Sequence, residues 1–176
     1  GTLGGTLTLG AASESAATEP GTVGWTYEVA NSAVQYLALG QTATEKFTVT
    51  LNDGQGGTVD KMVQVTVTGT NDAPTITVAG TDAIGAVTED GSPTTLSDSG
   101  AIAFNDIDLI DAHTTSVAKI SGTLGGTLAM GAVSESATTE PGSVGWTYNV
   151  ANSAVKYLAK DQTAIETFTV TLNDGQ

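Results

Sequence analysis

The segment Phe47-Thr-Val-Thr-Leu-Asn-Asp-Gly-Gln55 alternates apolar and polar residues and then runs into turn-forming residues. Alternation of this kind places successive side chains on opposite faces of a β-strand. A second alternating stretch follows over residues 58–69, and an Asn-Asp-Gly joint between two such stretches is typical of a β-hairpin. The segment therefore predicts two long strands, at 42–51 and 58–69, joined by a turn at 52–57.

The same nine residues return at 168–176, as part of a longer internal repeat. Residues 1–55 and 122–176 align without a gap at an offset of 121 and are identical at 44 of 55 positions. A period of this length suits one sandwich domain and is too long for one coil of a solenoid. We therefore expect the chain to be a window of a tandem array, one period plus 55 residues.

The two copies also indicate which side chains face inward. Over residues 23–29 the apolar positions, Trp25 and Tyr27 among them, are unchanged in the second copy, whereas Glu28 becomes Asn149. Apolar positions that stay fixed while their polar neighbours drift are typical of a half-buried strand. We expect the side chains of the apolar positions to be buried.

The rest of the chain is predicted to be further strands and one short helical turn per repeat. The turn is expected over Asn31–Leu37, with Asn31 or Ser32 as its cap. Pro74 lacks a backbone donor and ends the strand pairing, so the domain boundary is placed just before it. This gives the C-terminal portion of one β-sandwich repeat at 1–70 and, at 71–176, the following repeat without its last strand. The remaining strands are expected at 3–9, 23–30, 75–79, 84–88, 100–104 and 114–121.

Composition agrees with an all-β protein and excludes several functions. The 176 residues include 31 Thr and 22 Gly, which favour strands and turns. Five lysines, no arginine and a net charge of −14 argue against a nucleic-acid partner. The absence of Cys excludes zinc-finger and thiol-redox sites. The sequence contains no run of about 18 apolar residues, so we expect no membrane-spanning segment in it.

Acidic residues are concentrated in residues 71–121, which hold eight carboxylates and one lysine. Asp106 and Asp108 stand two positions apart, so in an extended segment their carboxylates point the same way and repel unless a cation lies between them. Calcium prefers oxygen ligands and tolerates irregular loops. The sequence therefore predicts a Ca²⁺ site whose candidate ligands are Asn71, Asp72, Glu89, Asp90, Asp106, Asp108 and Asp111.

Turn chemistry is the competing explanation for these residues, because Asp and Asn are common turn formers. The triplets 52–54 and 173–175 are expected to be plain hairpin turns. The spacing after Asp106 is not that of an EF-hand, since the sixth position is Asp111 where glycine is required. Four glutamates are expected to be solvated loop residues: Glu14, Glu19, Glu135 and Glu140.

Catalysis is not expected. No pair of acids stands out as the two carboxylates of a glycosidase. His113 is the sole imidazole, and no Ser-His-Asp set or G-x-S-x-G motif can be assembled around it. We expect it to be a residue at the start of a strand.

Several motifs together resemble those of a VCBS repeat. They are the run from Phe47 to Thr58, the run from Val63 to Pro74, Gly24-Trp-Thr-Tyr27, Ala33-Val-Gln-Tyr-Leu37 and Phe104-Asn-Asp-Ile-Asp-Leu-Ile-Asp-Ala-His113. The resemblance covers essentially the whole chain. VCBS repeats are immunoglobulin-like or cadherin-like modules, arranged in tandem in giant bacterial surface adhesins that type I secretion exports.

The resemblance implies an extracellular, calcium-dependent extender domain on the bacterial cell surface, with neighbouring repeats as its partners. Asn71-Asp72-Ala73-Pro74 also resembles the calcium-binding linker of cadherins. Glu89 matches the single acidic position of that family, and Asp106 with Asp108 matches its DxD pair. The chain has no Asp-Arg-Glu triplet, so which carboxylates share an ion stays open.

Two further expectations concern partners. Thr-x-Thr pairs such as Thr48 and Thr50 leave open the alternative that the chain is itself an adhesive tip for a glycan or for ice. Each partial repeat is also expected to expose a sheet edge, which would lead to pairing between chains or to a frayed unit.

Overall fold

The computed structural model describes residues 3–89 and 91–176. Within these ranges the protein consists of ten β-strands and two 3₁₀ helices of three residues each, so the all-β prediction is confirmed. Every strand pair is antiparallel, as in a β-sandwich. The chain divides into two compact units, Gly1–Asn71 and Asp72–Gln176, which we call the first and the second unit.

The first unit consists of two hairpins. In the first hairpin, β1 (Thr6–Ser13) pairs with β2 (Thr22–Glu28), and an irregularity interrupts the register between Leu9 and Ala12. A 3₁₀ helix at Asn31–Ala33 follows β2.

The second hairpin is the one that the opening segment predicts. β3 (Thr42–Asn52) pairs with β4 (Thr58–Thr68) along its whole length without a bulge. Gly54 and Gly56 in the connecting turn have φ values of 75° and 100°, which residues with a Cβ rarely adopt. The prediction for this hairpin is confirmed to within one residue at each strand end.

In its described residues, the second unit contains six strands in two sheets. Its strands are β5 (Thr75–Thr77), β6 (Thr95–Asn105), β7 (Thr114–Ser121), β8 (Thr127–Ser136), β9 (Thr139–Ala151) and β10 (Thr167–Asn173). Four of them form a sheet in the order β5-β6-β9-β8, and β7 pairs with β10 in a separate ladder. A 3₁₀ helix at Asn152–Ala154 follows β9.

The core of the second unit forms around the central strands. Leu96 of β6 and Val150 of β9 pack with Val155, which follows the 3₁₀ helix. Phe104 and Val144 are each only 2% exposed. Full burial of a side chain of this size contributes about 1.5–3 kcal/mol, so this layer fixes the position of β6 on β9.

The two copies of the repeat differ in what covers them. β9 lies between β6 and β8, whereas β2, within the described residues, pairs with β1 alone. Trp146 of β9 is therefore 6% exposed, and its counterpart Trp25 of β2 is 48% exposed. The expectation that Trp25 is buried is wrong for this reason, although it holds for the second copy.

A buried glutamate ties the hairpins of the first unit together. Glu45 of β3 is 1% exposed. Its carboxylate accepts hydrogen bonds from the backbone N–H of Leu3 and Gly5, at 3.0 and 3.1 Å, and from the Tyr27 hydroxyl at 2.9 Å. Burial raises the pKa of Glu45, but these hydrogen bonds outweigh it and hold the pKa below its usual value.

The second unit repeats this arrangement around Glu166. That carboxylate accepts from the backbone N–H of Leu124 and Gly126 and from the Tyr148 hydroxyl, and it also pairs with Lys119 Nζ. Burial raises the pKa of Glu166, and the bonds from Lys119 and Tyr148 bring it below its usual value. The ionised carboxylate therefore stabilises each copy at neutral pH.

Two local predictions are wrong. Residues 84–88 form no strand, because a backbone N–H of this segment bonds to a side chain and not to a neighbouring strand. The Ala86 N–H donates to Asp98 Oδ2. The first helical turn is not capped by Asn31 or Ser32. Its N-cap is Ala30, which has no side chain that could accept a hydrogen bond.

Gly100 supplies a test of how β6 covers β9. A Cβ at Gly100 would lie 2.6 Å from the Trp146 ring and 2.7 Å from the Asp82 carbonyl oxygen. We expect Gly100→Ala to lower the free energy of unfolding of the second unit by about 1–3 kcal/mol, a typical cost of overpacking. Urea denaturation followed by fluorescence in a Trp25→Phe background, where Trp146 is the sole tryptophan, measures it. The control is Gly145→Ala, where the Cβ would lie 3.8 Å from its nearest neighbour, and an equal loss in both variants would contradict the packing account.

Candidate metal centre

Acidic side chains gather at one end of the second unit. The loop after β6 and the end of β10 meet there because β7 pairs with β10 from Thr114 opposite Asn173 onward. The tight connection between β8 and β9 lies at the same end, since Gly142 of β9 is opposite Phe104 of β6. A small cleft at this end is lined by Phe104, Asp106, Asp108, Leu109, Asp111, His113, Glu135, Ser136, Thr139, Glu140 and Gly142.

Asp106 and Asp108 form the buried floor of this cleft, with exposed fractions of 3% and 0%. The Asp108 N–H donates to Asp106 Oδ1 at 2.9 Å, a local bond typical of an Asx turn. Asp108 Oδ2 accepts from the Asp72 backbone N–H at 2.8 Å. Asp108 Oδ1 is buried and has no hydrogen-bond donor. A buried carboxylate oxygen left without a donor is costly, so this oxygen is placed to accept from a water or to ligate a cation.

His113 links two of the carboxylates. Its Nε2 lies 3.0 Å from Asp106 Oδ2 and its Nδ1 lies 2.6 Å from Glu135 Oε2. Its backbone N–H also donates to Glu135 Oε1 at 3.1 Å. Glu140 in turn accepts from the backbone N–H of Asp106 and Gly142. The β8–β9 hairpin thus holds the acidic loop in place.

Three carboxylates converge closely enough to hold a metal ion. Asp106, Asp111 and Asp174 each offer an oxygen, and these oxygens lie within 4.8 Å of one another. Asp174, which follows β10, is 7% exposed. One carboxylate oxygen of Asp111, Oδ2, is buried and has no hydrogen-bond donor. Oxygen atoms at such separations suit a single hard cation placed between them.

The pKa of Asp111 reflects the repulsion between neighbouring carboxylates. Burial raises the pKa of Asp111, and the charges of Asp108, Asp106 and Asp174 raise it further, while His113 acts weakly in the opposite direction. Like charges that share a site disfavour one another's ionised form. The ionised form of Asp111 is therefore disfavoured unless a cation offsets the neighbouring charges.

Lysines do not relieve this charge. Lys119 pairs with Glu166, and the chain's other lysines, Lys46, Lys61, Lys156 and Lys160, are exposed. Among the described residues, His113 is the basic side chain that contacts the cluster. One imidazole cannot balance Asp106, Asp108, Asp111 and Asp174 together.

No protein-family model, curated protein or solved structure matches this chain. Over the described ranges, no helix has the length and apolar character needed to cross a bilayer. The chemistry of the cluster is therefore the basis for a function.

The candidate ligands from the sequence are distributed unevenly. Asp106, Asp108 and Asp111 come together in the cluster. Asp72 contributes its backbone N–H to Asp108, and Asn71 is the last residue of the first unit. Glu89 is exposed and is not part of the cluster. Asp90 lies outside the described residues.

Four residues of the site were not predicted to belong to it. Asp174 was expected to form a plain turn; its Oδ1 does accept from the Gln176 N–H, yet the same side chain faces Asp106 and Asp111. Glu135 and Glu140 were expected to be solvated, and His113 to be only a strand start. His113, Glu135 and Glu140 contact residues 7 to 34 positions away in sequence. Asp174 faces two residues that lie more than 60 positions away, and a local pattern cannot show such contacts.

Asp111 provides the sharpest test of the cluster's electrostatics. An acid whose pKa is higher in the folded state than in the unfolded state destabilises the fold at high pH. The penalty shrinks as pH falls below the folded-state pKa, and it is gone once pH is below the unfolded-state pKa. In the presence of chelator at pH 7 we expect Asp111→Asn to raise the Tm by a few degrees. The advantage should shrink in acidic buffer, where Asp111 itself is protonated.

Differential scanning calorimetry measures both effects. Glu89→Gln is the control, because it removes one exposed carboxylate outside the cluster and should leave the Tm nearly unchanged. A lower Tm for Asp111→Asn in chelator at pH 7 would show that the carboxylate is not repelled by its neighbours.

Proposed function

We propose that the chain is a calcium-stabilised extender module. The observation that carries the proposal is the pair of buried carboxylate oxygens without a donor, Asp108 Oδ1 and Asp111 Oδ2, beside Asp106 and Asp174. A cation held between Asp106, Asp111 and Asp174 would offset the repulsion among these carboxylates and the neighbouring charge of Asp108.

Calcium fits the donor set best. All candidate ligands are oxygens, whereas structural zinc sites favour Cys and His. The only imidazole present has both of its nitrogens against carboxylates, so it is not free to bind a metal. The ligands lie on an irregular loop and on a strand end, and calcium tolerates such geometry better than magnesium, which requires a near-ideal octahedron.

The bound ion would join parts of the unit that are distant in sequence. Asp106 and Asp111 belong to the loop between β6 and β7, and Asp174 follows β10. Asp108 in the same loop holds the backbone of Asp72, the first residue of the second unit. Binding would therefore stiffen the chain where it enters this unit, and it would stabilise the folded form by mass action.

We further propose that each unit is part of an immunoglobulin-like or cadherin-like sandwich repeat. One period contributes seven strands, β5 to β10 and a counterpart of β4, which is the number in a constant-type immunoglobulin domain. The resemblance to VCBS repeats supports a place in a tandem array on a bacterial surface adhesin, exported by type I secretion, with neighbouring repeats as partners.

A structural role is favoured over a catalytic one. The imidazole of His113 is 3% exposed and lies between Asp106 and Glu135, so neither ring nitrogen is directed at a substrate. The carboxylates of Asp106 and Asp108 accept backbone hydrogen bonds inside the fold, and Asp106 also contacts the imidazole of His113. Groups engaged in this way suit ion binding better than proton transfer.

Calcium titration tests the proposal. We expect saturable binding by isothermal calorimetry, with a stabilisation of about 2.7 kcal/mol when free calcium is roughly 100-fold above its Kd. Asp111→Asn should lose binding while remaining folded, and Glu89→Gln should bind like the wild type. Magnesium should bind more weakly.

Small-angle scattering of the same samples examines the extender role. We expect calcium to narrow the distribution of dimensions in the wild type and to leave Asp111→Asn unchanged. Calcium binding that is absent from the wild type, or equal in wild type and Asp111→Asn, would contradict the proposed site.

A further inference from the structure

The first unit repeats most of the sequence of one part of the second unit, but among the described residues no strand covers β2 as β6 covers β9. Residues 1–55 correspond to 122–176 with 44 identities. In the second unit, β6 pairs with β9 over ten residues, from Thr95 opposite Ala151 to Phe104 opposite Gly142. The second unit therefore shows what the corresponding face of the first unit, β2 and the loop before it, is shaped to receive.

Trp25 marks the first point of correspondence. In the second unit Gly100 of β6 lies opposite Trp146, and the indole N–H donates to the Asp82 carbonyl oxygen. Only a residue without a side chain fits there, since a Cβ at Gly100 would lie 2.6 Å from the ring. Trp25 is 48% exposed, so the same indole surface is available in the first unit.

Gly21 marks the second point. Its counterpart Gly142 lies under the Phe104 ring, where a Cβ would come within 2.4 Å of a ring carbon. A Cβ at Gly21 would meet nothing closer than 3.3 Å, from its own loop. The space that Phe104 occupies in the second unit is thus free over Gly21.

Two glutamates mark the third point. In the second unit Glu135 accepts from the His113 backbone and ring, and Glu140 accepts from the Asp106 N–H. Their counterparts, Glu14 and Glu19, are exposed in the first unit. Carboxylates at these positions would select a segment that carries an imidazole and a free backbone N–H at the right spacing.

We propose that this face of the first unit is an acceptor for a polypeptide segment with the pattern of residues 94–113. The segment would add an antiparallel strand to β2, place a glycine over Trp25 and a phenylalanine over Gly21, and direct a histidine to Glu14. Main-chain pairing supplies affinity in such strand addition, and the glycine, aromatic and histidine positions supply specificity. Three independent positions, Trp25, Gly21 and the glutamates, specify the same segment.

A synthetic peptide of residues 94–113 tests the proposal on the full chain. In the Trp146→Phe variant, Trp25 is the sole tryptophan and reports docking by its emission. In calcium-containing buffer we expect a saturable blue shift of Trp25 with the native peptide. A peptide carrying Gly100→Leu should bind at least ten-fold more weakly, because the leucine side chain would collide with the indole.

Amide chemical shifts of Gly21 and Glu14 in the wild-type chain provide a second measurement, which does not depend on the Trp146 substitution. Shifts at these residues with the native peptide alone support the proposal. No effect of the native peptide, or equal effects of both peptides, would overturn it. A blue shift that grows with protein concentration and is unaffected by the peptide would also overturn it, since association of whole chains, and not docking of this segment, would then cover Trp25.

Discussion

Buried carboxylates that lack an adequate basic counterpart are the constraint on which the second unit depends. Asp108 is completely buried, and one of its oxygens has no donor. The loop that carries it is nevertheless held firmly, by the Asp72 N–H, by the Asp106 turn and by the β8–β9 hairpin through Glu140. A fold that holds acidic side chains in place without an adequate basic partner could bind a cation there, and a bound cation would stabilise the folded form.

The internal repeat separates what the local sequence determines from what its surroundings determine. Glu45 lies in β3, and Glu166 lies just before β10. Each accepts hydrogen bonds from a tyrosine hydroxyl and from two backbone N–H groups. That arrangement needs only residues inside the repeated block. Burial of the tryptophan needs β6, which lies outside the block, and so Trp25 and Trp146 differ.

The same distinction explains how far sequence alone could reach. Period-two alternation and the Asn-Asp-Gly turn predicted the β3–β4 hairpin closely, because a hairpin is a local structure. The acidic loop was also identified, since Asp106, Asp108 and Asp111 are neighbours in sequence. Asp174 and Glu135 reach the site through strand pairing over long sequence separations, and their own segments contain only ordinary turn signals. Ile84 shows the opposite kind of wrong prediction. It is an apolar residue for which a strand was expected, and its side chain is exposed.

Hydrogen exchange at individual amides is the most direct measurement of the central claim, that a cation completes the cluster. The decisive amides are those of Asp72 and Asp108, which donate to the carboxylates of Asp108 and Asp106. If calcium fixes these carboxylates, both amides will exchange markedly more slowly in calcium than in chelator, while those of the β3–β4 hairpin will not change. Equal exchange of the Asp72 and Asp108 amides in calcium and in chelator would contradict the account.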